Sequence, residues 1–287
     1  MVIVANVDGE TEGEVVLDGL GFAESPRWRD GALFVPDWAA GEVHRVGPDG
    51  RAEVVARCAS FPLCVDLDAA GTLLLVSSGT SELLRQELDG TLAVHADLSS
   101  AGSPPWNEVL VGPDGTAWVD AIGFAFPDGD PRPGYVVAVR PDGSVVRAAD
   151  DLMFPNGMAL VDGRATLLVA ESYRHRITAF DVRPDGGLDG RRVWADLGEG
   201  TPDGVCADSE GALWYADVPA QRCVRVREGG EVLDVVTTDR GCFSCVLGGD
   251  DGRTLFVVGQ RWGGPDEGAS GRVLAVRVGV PGVTGAA

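Results

Sequence analysis

The sequence predicts an all-β fold, a six-bladed β-propeller with four antiparallel strands in each blade. A tight turn followed by an apolar strand occurs six times, at intervals of 40 to 50 residues. A period of this length is typical of propeller blades. The six copies align on one large apolar residue, at Phe34, Leu74, Trp118, Leu168, Trp214 and Phe256.

A second strand pair follows the aligned strand in the first five copies. Examples are GEVHRVGPDGRAEVV in the first copy and GYVVAVRPDGSVVRAAD in the third, where apolar and polar residues alternate around Asp-Gly. This alternation is the sequence pattern of a β-hairpin. Two strand pairs predict a four-stranded blade, and six blades predict a propeller. No apolar periodicity of 3.6 residues persists long enough to predict a major helix.

The sixth copy is one strand short, because GRVLAVRV leads directly into PGVTGAA at the end of the chain. The segment GEVVLDG at residues 13–19 precedes the first copy and has strand character. We therefore expect this segment to form the outermost strand of blade six, which would close the ring and remove an open sheet edge. The whole chain, residues 1–287, is then one domain.

Composition narrows the classes of function. A net charge of −21 argues against binding to nucleic acid or anionic membranes, since both depend on basic surfaces. No segment is long and apolar enough to span a membrane, and MVIVANVDGE lacks the basic start of a signal peptide. We therefore expect a cytoplasmic monomer with free thiols at its six cysteines. The chain has no lysine, which excludes Schiff-base chemistry and a Walker-type phosphate loop.

Four oxygen-bearing side chains recur at one position, ten to twelve residues before the aligned residue: Glu24, Asn107, Asn156 and Asp203. Because the innermost strands of a propeller line its channel, we expect these side chains to converge on the axis. Buried carboxylates that face one another are costly unless a cation or hydrogen bonds compensate them, and no arginine occupies this position. Oxygen ligands predict a hard cation, Ca²⁺ ahead of Mg²⁺ or Mn²⁺, with Zn²⁺ least expected.

The simpler interpretation is that these residues form turns, since Asn-Gly and Asp-Gly are common turn sequences. Recurrence in four copies favours the converging ring. In the other two copies the position falls at Pro62, Leu63 or Cys64, and at Ser244 or Cys245.

A second polar set follows the aligned residues by three positions: Asp37, Ser77, Glu171 and Asp217. These side chains could orient the ligands of the ring, but we expect them to form bracing hydrogen bonds between blades.

The segments that carry the ring residues resemble the SMP-30/gluconolactonase/LRE family of calcium-dependent six-bladed propellers. The matching segments, in order, are ESPRW, the Asn107 segment that runs into GPDGTAW, FPNGMAL, and PDGVCAD with LWYAD. The resemblance covers nearly the whole chain. It implies that Glu24, Asn156 and Asp203 ligate the metal, that Asn107 contacts substrate and can join the metal ligands, and that Asp203 is the general base.

One departure from the family pattern concerns the substrate. Members that act on sugar lactones commonly have Arg two residues before the Asn, whereas this chain has Pro105 there. The next residue, Trp106, offers an apolar surface, and we expect it to form part of the pocket wall. A lactone or ester more apolar than a sugar lactone becomes plausible.

The predicted function is metal-dependent hydrolysis of a small-molecule lactone, in which the cation polarises the carbonyl and Asp203 activates water. Direct attack by Asp203 as a nucleophile stays open. The alternatives are another metal-dependent ester or organophosphate hydrolase on the same site, a propeller that binds a ligand without catalysis, and a strictosidine-synthase-like propeller without a comparable metal ring.

Overall fold

A computed structural model describes residues 13–261 and 269–283. These residues form six four-stranded antiparallel sheets, and the predicted six-bladed β-propeller is confirmed. The first strand of each blade contacts the first strands of both neighbouring blades, in a closed circle from the first blade to the sixth. These strands therefore line the channel, and each blade runs outward from them.

Blades one to three follow one another along the chain, and the strands of each run in order from the channel outward. Blade one contains β2 (Arg27–Arg29), β3 (Ala32–Asp37), β4 (Glu42–Val46) and β5 (Ala52–Arg57). Blade two contains β6 (Leu63–Leu67), β7 (Leu73–Ser77), β8 (Glu82–Gln86) and β9 (Leu92–Asp97). Blade three contains β10 (Trp106–Val111), β11 (Ala117–Ala121), β12 (Gly134–Val139) and β13 (Val145–Leu152).

The remaining blades repeat the arrangement. Blade four contains β14 (Pro155–Val161), β15 (Thr166–Glu171), β16 (Arg176–Val182) and β17 (Leu188–Asp196), with single-turn 3-10 helices at Asp162–Arg164 and Ser172–Arg174. Blade five contains β18 (Pro202–Ala207), β19 (Leu213–Asp217), β20 (Arg222–Val226) and β21 (Val232–Thr237). Blade six contains β22 (Gly241–Gly248), β23 (Thr254–Gln260), β24 (Gly271–Arg277) and β1 (Glu14–Leu20).

Strand β1 closes the ring, as the sequence predicts. It pairs antiparallel with β24, from Glu14 opposite Ala275 to Leu20 opposite Gly271, and is the outermost strand of blade six. Leu20 is buried in an apolar cluster that includes Val273 and residues of blade one. The start and the end of the ring are therefore joined by both hydrogen bonds and apolar packing.

The core lies between the blades, where apolar side chains of one sheet pack on those of the next. One large cluster joins blades one, two and three through residues such as Val43, Leu75 and Val119, which have no exposed surface. All six cysteines are free thiols. None of the described helices is long and apolar enough to cross a membrane.

Candidate metal centre and active site

The four ring residues lie at the same level of the channel. Asn107, Asn156 and Asp203 are each the second residue of an innermost strand. The residue before each of them pairs with a residue of the second strand in the same blade. In all three blades that partner lies three positions after the aligned apolar residue. Glu24 occupies the equivalent position, because the preceding Ala23 bridges to Asp37.

A register shift sets the direction of these side chains. Near the start of the innermost strand in blades three, four and five, the pairing advances three residues along that strand but only two along its partner. Such bulges occur at sheet rims and redirect a side chain out of simple alternation. The glycines that follow Asn156 and Asp203 are also strand residues, not turn residues. A Cβ on Gly157 would lie 2.5 Å from the backbone nitrogen of Val205, so the glycine permits close approach of β14 and β18.

The same register identifies the residues of the other two blades. Leu63 pairs with Ser77, which puts Cys64 at the ring position of blade two. Cys242 pairs with Gly259, which puts Phe243 at the ring position of blade six. The expectation of Ser244 or Cys245 was wrong, because blade six has one more residue between the start of β22 and the aligned Phe256.

Burial and like charge make the two carboxylates of the ring unfavourable when ionised. Burial raises the pKa of Glu24 well above its usual range, and the carboxylates of Asp203, Glu108 and Asp120 raise it further. Burial and the Glu108 charge likewise raise the pKa of Asp203, against the opposing effect of a hydrogen bond with the Asn156 side chain. A positive charge nearby would therefore favour loss of a proton from both acids.

Glu108 and Asp120 add carboxylates that the repeat alignment does not identify as ring members. The hydroxyl of Ser25 donates to Oε2 of Glu108 across 2.9 Å, and the backbone N–H of Glu108 donates to Oδ1 of Asp120 across 2.9 Å. Asp120 is fully buried, and burial raises its pKa well above the usual range. Glu108 directly follows Asn107 and lies within the bulge of β10.

Arg27 supplies positive charge one level deeper in the channel. Its Nη2 lies 2.9 Å from Oε1 of Glu108, and its Nε lies 3.2 Å from Oδ1 of Asp66. These ion pairs compensate the carboxylates beside and below the ring. Among the described residues, the ion pairs of Arg27 are with Glu108 and Asp66 and not with the ring acids Glu24 and Asp203.

The donor set fits a hard cation. In the described ranges, no three His, Cys, Asp or Glu side chains are grouped so as to hold a metal by themselves. The ring instead combines the carboxylates of Glu24 and Asp203 with the carboxamides of Asn107 and Asn156, an all-oxygen set suited to Ca²⁺ or Mg²⁺. Oδ1 of Asp203 is buried and has no hydrogen-bond partner among the described residues. A buried carboxylate oxygen without a partner is costly, and a bound cation would satisfy it.

The structure places Trp106 in the core and not on a pocket wall. The side chain has no exposed surface, and its ring meets Tyr135 edge-on at 5.7 Å in the cluster between blades two and three. Strand alternation explains the difference, because Trp106 precedes the bulge and faces the neighbouring sheet. Trp106 thus supports the strand that carries Asn107.

The second polar set braces the segments that lead into the ring. Asp37 accepts hydrogen bonds from the backbone N–H groups of Gly21 and Phe22, at 2.8 and 3.0 Å. Glu171 accepts one from the backbone N–H of Met153, at 2.8 Å. These bonds fix the segments that precede Glu24 and Asn156. We expected the second polar set to link neighbouring blades, but these two acids bond to connecting segments instead.

Comparison with known proteins shows which family this chain is similar to. Residues 22–261 match the SMP-30/Gluconolactonase/LRE-like region. A 6-deoxy-6-sulfogluconolactonase from Pseudomonas putida is 28% identical over 272 residues, which cover 90% of this chain and 92% of that protein. Regucalcin from Danio rerio is 26% identical over 245 residues, which cover 82% of this chain and 81% of that protein.

Solved structures share the fold. A gluconolactonase from Xanthomonas campestris superposes with a TM-score of 0.74 at 26% identity, covering 91% of this chain and 88% of that one. The calcium-binding regucalcin from Agrobacterium tumefaciens superposes with a TM-score of 0.78 at 20% identity, covering 96% of both chains, and shows likeness of fold alone. Because the family match spans most of the propeller, this chain belongs to the SMP-30/gluconolactonase/LRE-like family.

Proposed function

We propose that this protein is a cation-dependent hydrolase that opens the ring of a small-molecule lactone. The observation that supports the proposal is the shared register of Glu24, Asn107, Asn156 and Asp203 at one level of the channel. At that level Oδ1 of Asp203 is buried and has no hydrogen-bond partner among the described residues. Relatives named as gluconolactonases support a lactone as substrate. Ca²⁺ is the proposed cation, because the donors are all oxygen and a relative of the same fold is a calcium-binding protein.

Glu24, Asn156 and Asp203 would hold the cation, and Asn107 could join them. When bound, the cation supplies a Lewis acid that polarises the carbonyl group of a substrate. The side chain of Asn107, 3% exposed at the start of β10, would orient the substrate beside these ligands. Little water has access to this position, which strengthens every electrostatic interaction made there.

Asp203 is the proposed general base. Its carboxyl group has two oxygens, so one could bind the cation while the other accepts a proton from the attacking water. A base works best when its pKa lies close to the working pH, and burial raises the pKa of Asp203 in that direction. Direct attack by the Asp203 carboxylate on the carbonyl carbon is the competing route.

A panel of γ- and δ-lactones, carboxylic esters and phosphotriesters tests the proposal, with acid release measured after chelation and after addition of Ca²⁺. We expect hydrolysis of lactones that chelation abolishes and Ca²⁺ restores. Asp234→Asn is a matched control for Asp203→Asn, because Asp234 is exposed on the outermost strand of the same blade. Turnover of esters or phosphotriesters without lactones would contradict the proposal, and so would hydrolysis that chelation leaves unchanged.

A further inference from the structure

Two groups of aromatic side chains lie on the face of the propeller where the candidate site is built. The first aromatic cluster contains Phe22, Trp38, Phe61 and Phe243, with ring centroids 5.2 to 5.4 Å apart. The second aromatic cluster contains Phe124, Phe126, Phe154 and Tyr173, with ring centroids 4.8 to 6.3 Å apart.

The first aromatic cluster begins at the ring itself. Phe243 occupies the ring position of blade six, and its aromatic ring meets Phe22 edge-on. Phe22 lies two residues before Glu24, and its carbonyl accepts the backbone N–H of Trp38 across 2.7 Å. Phe61 precedes β6 and is 61% exposed, so the cluster extends from the ring to the solvent.

The second aromatic cluster adjoins the opposite side of the ring. Phe154 lies two residues before Asn156, and its carbonyl accepts the backbone N–H of Ser172 across 3.1 Å. The hydroxyl of Ser172 in turn donates to the carbonyl of Pro202, the neighbour of Asp203, across 2.6 Å. Phe124 lies in the loop between β11 and β12, at the end of β11 that pairs with the start of β10.

The exposure of these rings is unusual. Among residues 13–261 and 269–283, the exposed aromatic side chains are Phe61, Phe126 and Tyr173, and all three belong to the two clusters. Exposed apolar surface concentrated beside a polar site is typical of ligand binding. Two arginines of blade four on this face are paired within the blade, because Arg174 and Arg176 lie 2.9 and 2.7 Å from Glu171.

We propose that the two aromatic clusters bind an apolar substituent of the substrate, so that the preferred substrates are lactones that carry an alkyl or aryl group rather than polyhydroxylated sugar lactones. This inference rests on the proposed lactone hydrolysis. The ring would hold the lactone carbonyl while the substituent packs between the flanking aromatic side chains. Each methylene group buried there is worth about fourfold in binding.

The test compares kcat/KM for glucono-δ-lactone with that for δ-lactones whose alkyl chains lengthen from one to six carbons. We expect kcat/KM to rise about two- to fourfold per methylene over the first carbons. The longer-chain substrates should exceed glucono-δ-lactone by tenfold or more. Phe61→Ala and Tyr173→Ala should flatten this dependence on chain length. Tyr173→Phe should keep it.

Val235→Ala is the matched control, because Val235 is a 40% exposed apolar residue on the outermost strand of blade five. Efficient hydrolysis of glucono-δ-lactone with no gain from alkyl chains would overturn the inference and leave the proposed function standing. The inference also fails if Phe61→Ala and Tyr173→Ala behave like Val235→Ala on every substrate. Failure to hydrolyse any lactone would overturn the proposed function, and the inference with it.

Discussion

The guanidinium group of Arg27 donates a hydrogen bond to Oε1 of Glu108 across 2.9 Å and joins blade one to blade three inside the channel. The same group lies 3.2 Å from Asp66 of blade two. This ion-pair network separates the buried acids into two sets. Arg27 compensates Glu108 and Asp66, whereas under the proposed function a bound cation compensates Glu24 and Asp203.

Arg27→Met should therefore destabilise the fold strongly. Methionine keeps an unbranched apolar stem but leaves Glu108 and Asp66 buried without their cation, at a cost of about 3–5 kcal/mol in the free energy of unfolding. Arg45→Met is the matched control, because Arg45 pairs with Glu53 on the surface and its loss should cost under about 1 kcal/mol. Denaturant unfolding measures both, and equal losses would contradict the assignment.

Chelation should make stability dependent on pH. The raised pKa values of Glu24 and Asp203 mean that the metal-free folded state binds more protons than the unfolded state above the usual carboxyl range of about 4. The free energy of unfolding of chelated protein should therefore fall as pH rises above about 4. Saturating Ca²⁺ should remove most of this slope, because a cation that binds only the folded state stabilises it.

Glu24→Gln should flatten the same pH profile without added cation, since it removes one of the two titrating groups. Glu53→Gln, at an exposed carboxylate, is the control. Thermal unfolding in chelator and in Ca²⁺ across this pH range provides the measurement. Identical profiles in the two conditions would mean that no cation compensates the ring.

Removal of β1 should open the propeller. A chain that begins at Gly21 lacks the strand that pairs with β24, which exposes the edge of blade six and removes Leu20 from its apolar cluster. We expect a sharp fall in melting temperature, since burial of one such leucine is worth about 2–5 kcal/mol before any hydrogen bond is counted. Val15→Ala keeps the strand and changes an exposed residue, so its melting temperature should stay close to that of the wild type.

Neighbouring residues of β10 should differ in their effects. Asn107→Ala should raise KM and lower kcat less, because we assign Asn107 to substrate positioning. Trp106→Phe should lower the melting temperature and leave KM unchanged, because the indole is wholly buried against Tyr135. Steady-state kinetics and thermal unfolding of both variants separate the two roles. A raised KM in Trp106→Phe would instead indicate that Trp106 lines the substrate pocket.

The repeat pattern in the sequence was sufficient to predict the fold and to predict that four polar residues lie at one level of the channel. Spacing from the aligned residues identified Glu24, Asn107, Asn156 and Asp203, because each blade repeats one register. It failed at Trp106 and at Phe243, since a bulge or one extra residue changes which face a side chain occupies. The Arg27 network and the aromatic clusters join residues from different blades, and no local pattern reports such contacts.

The most direct test of the account is the Asp203→Asn variant, measured for bound Ca²⁺ and for lactone turnover in the same preparation. Asparagine keeps an oxygen in nearly the same place, so the cation should still bind, though more weakly. Loss of the carboxylate should lower kcat by about 10²- to 10⁴-fold or more, the usual contribution of a general base. Asp234→Asn should show neither effect. Near-normal turnover by Asp203→Asn with its metal bound would contradict the account, because Asp203 would then be neither base nor nucleophile.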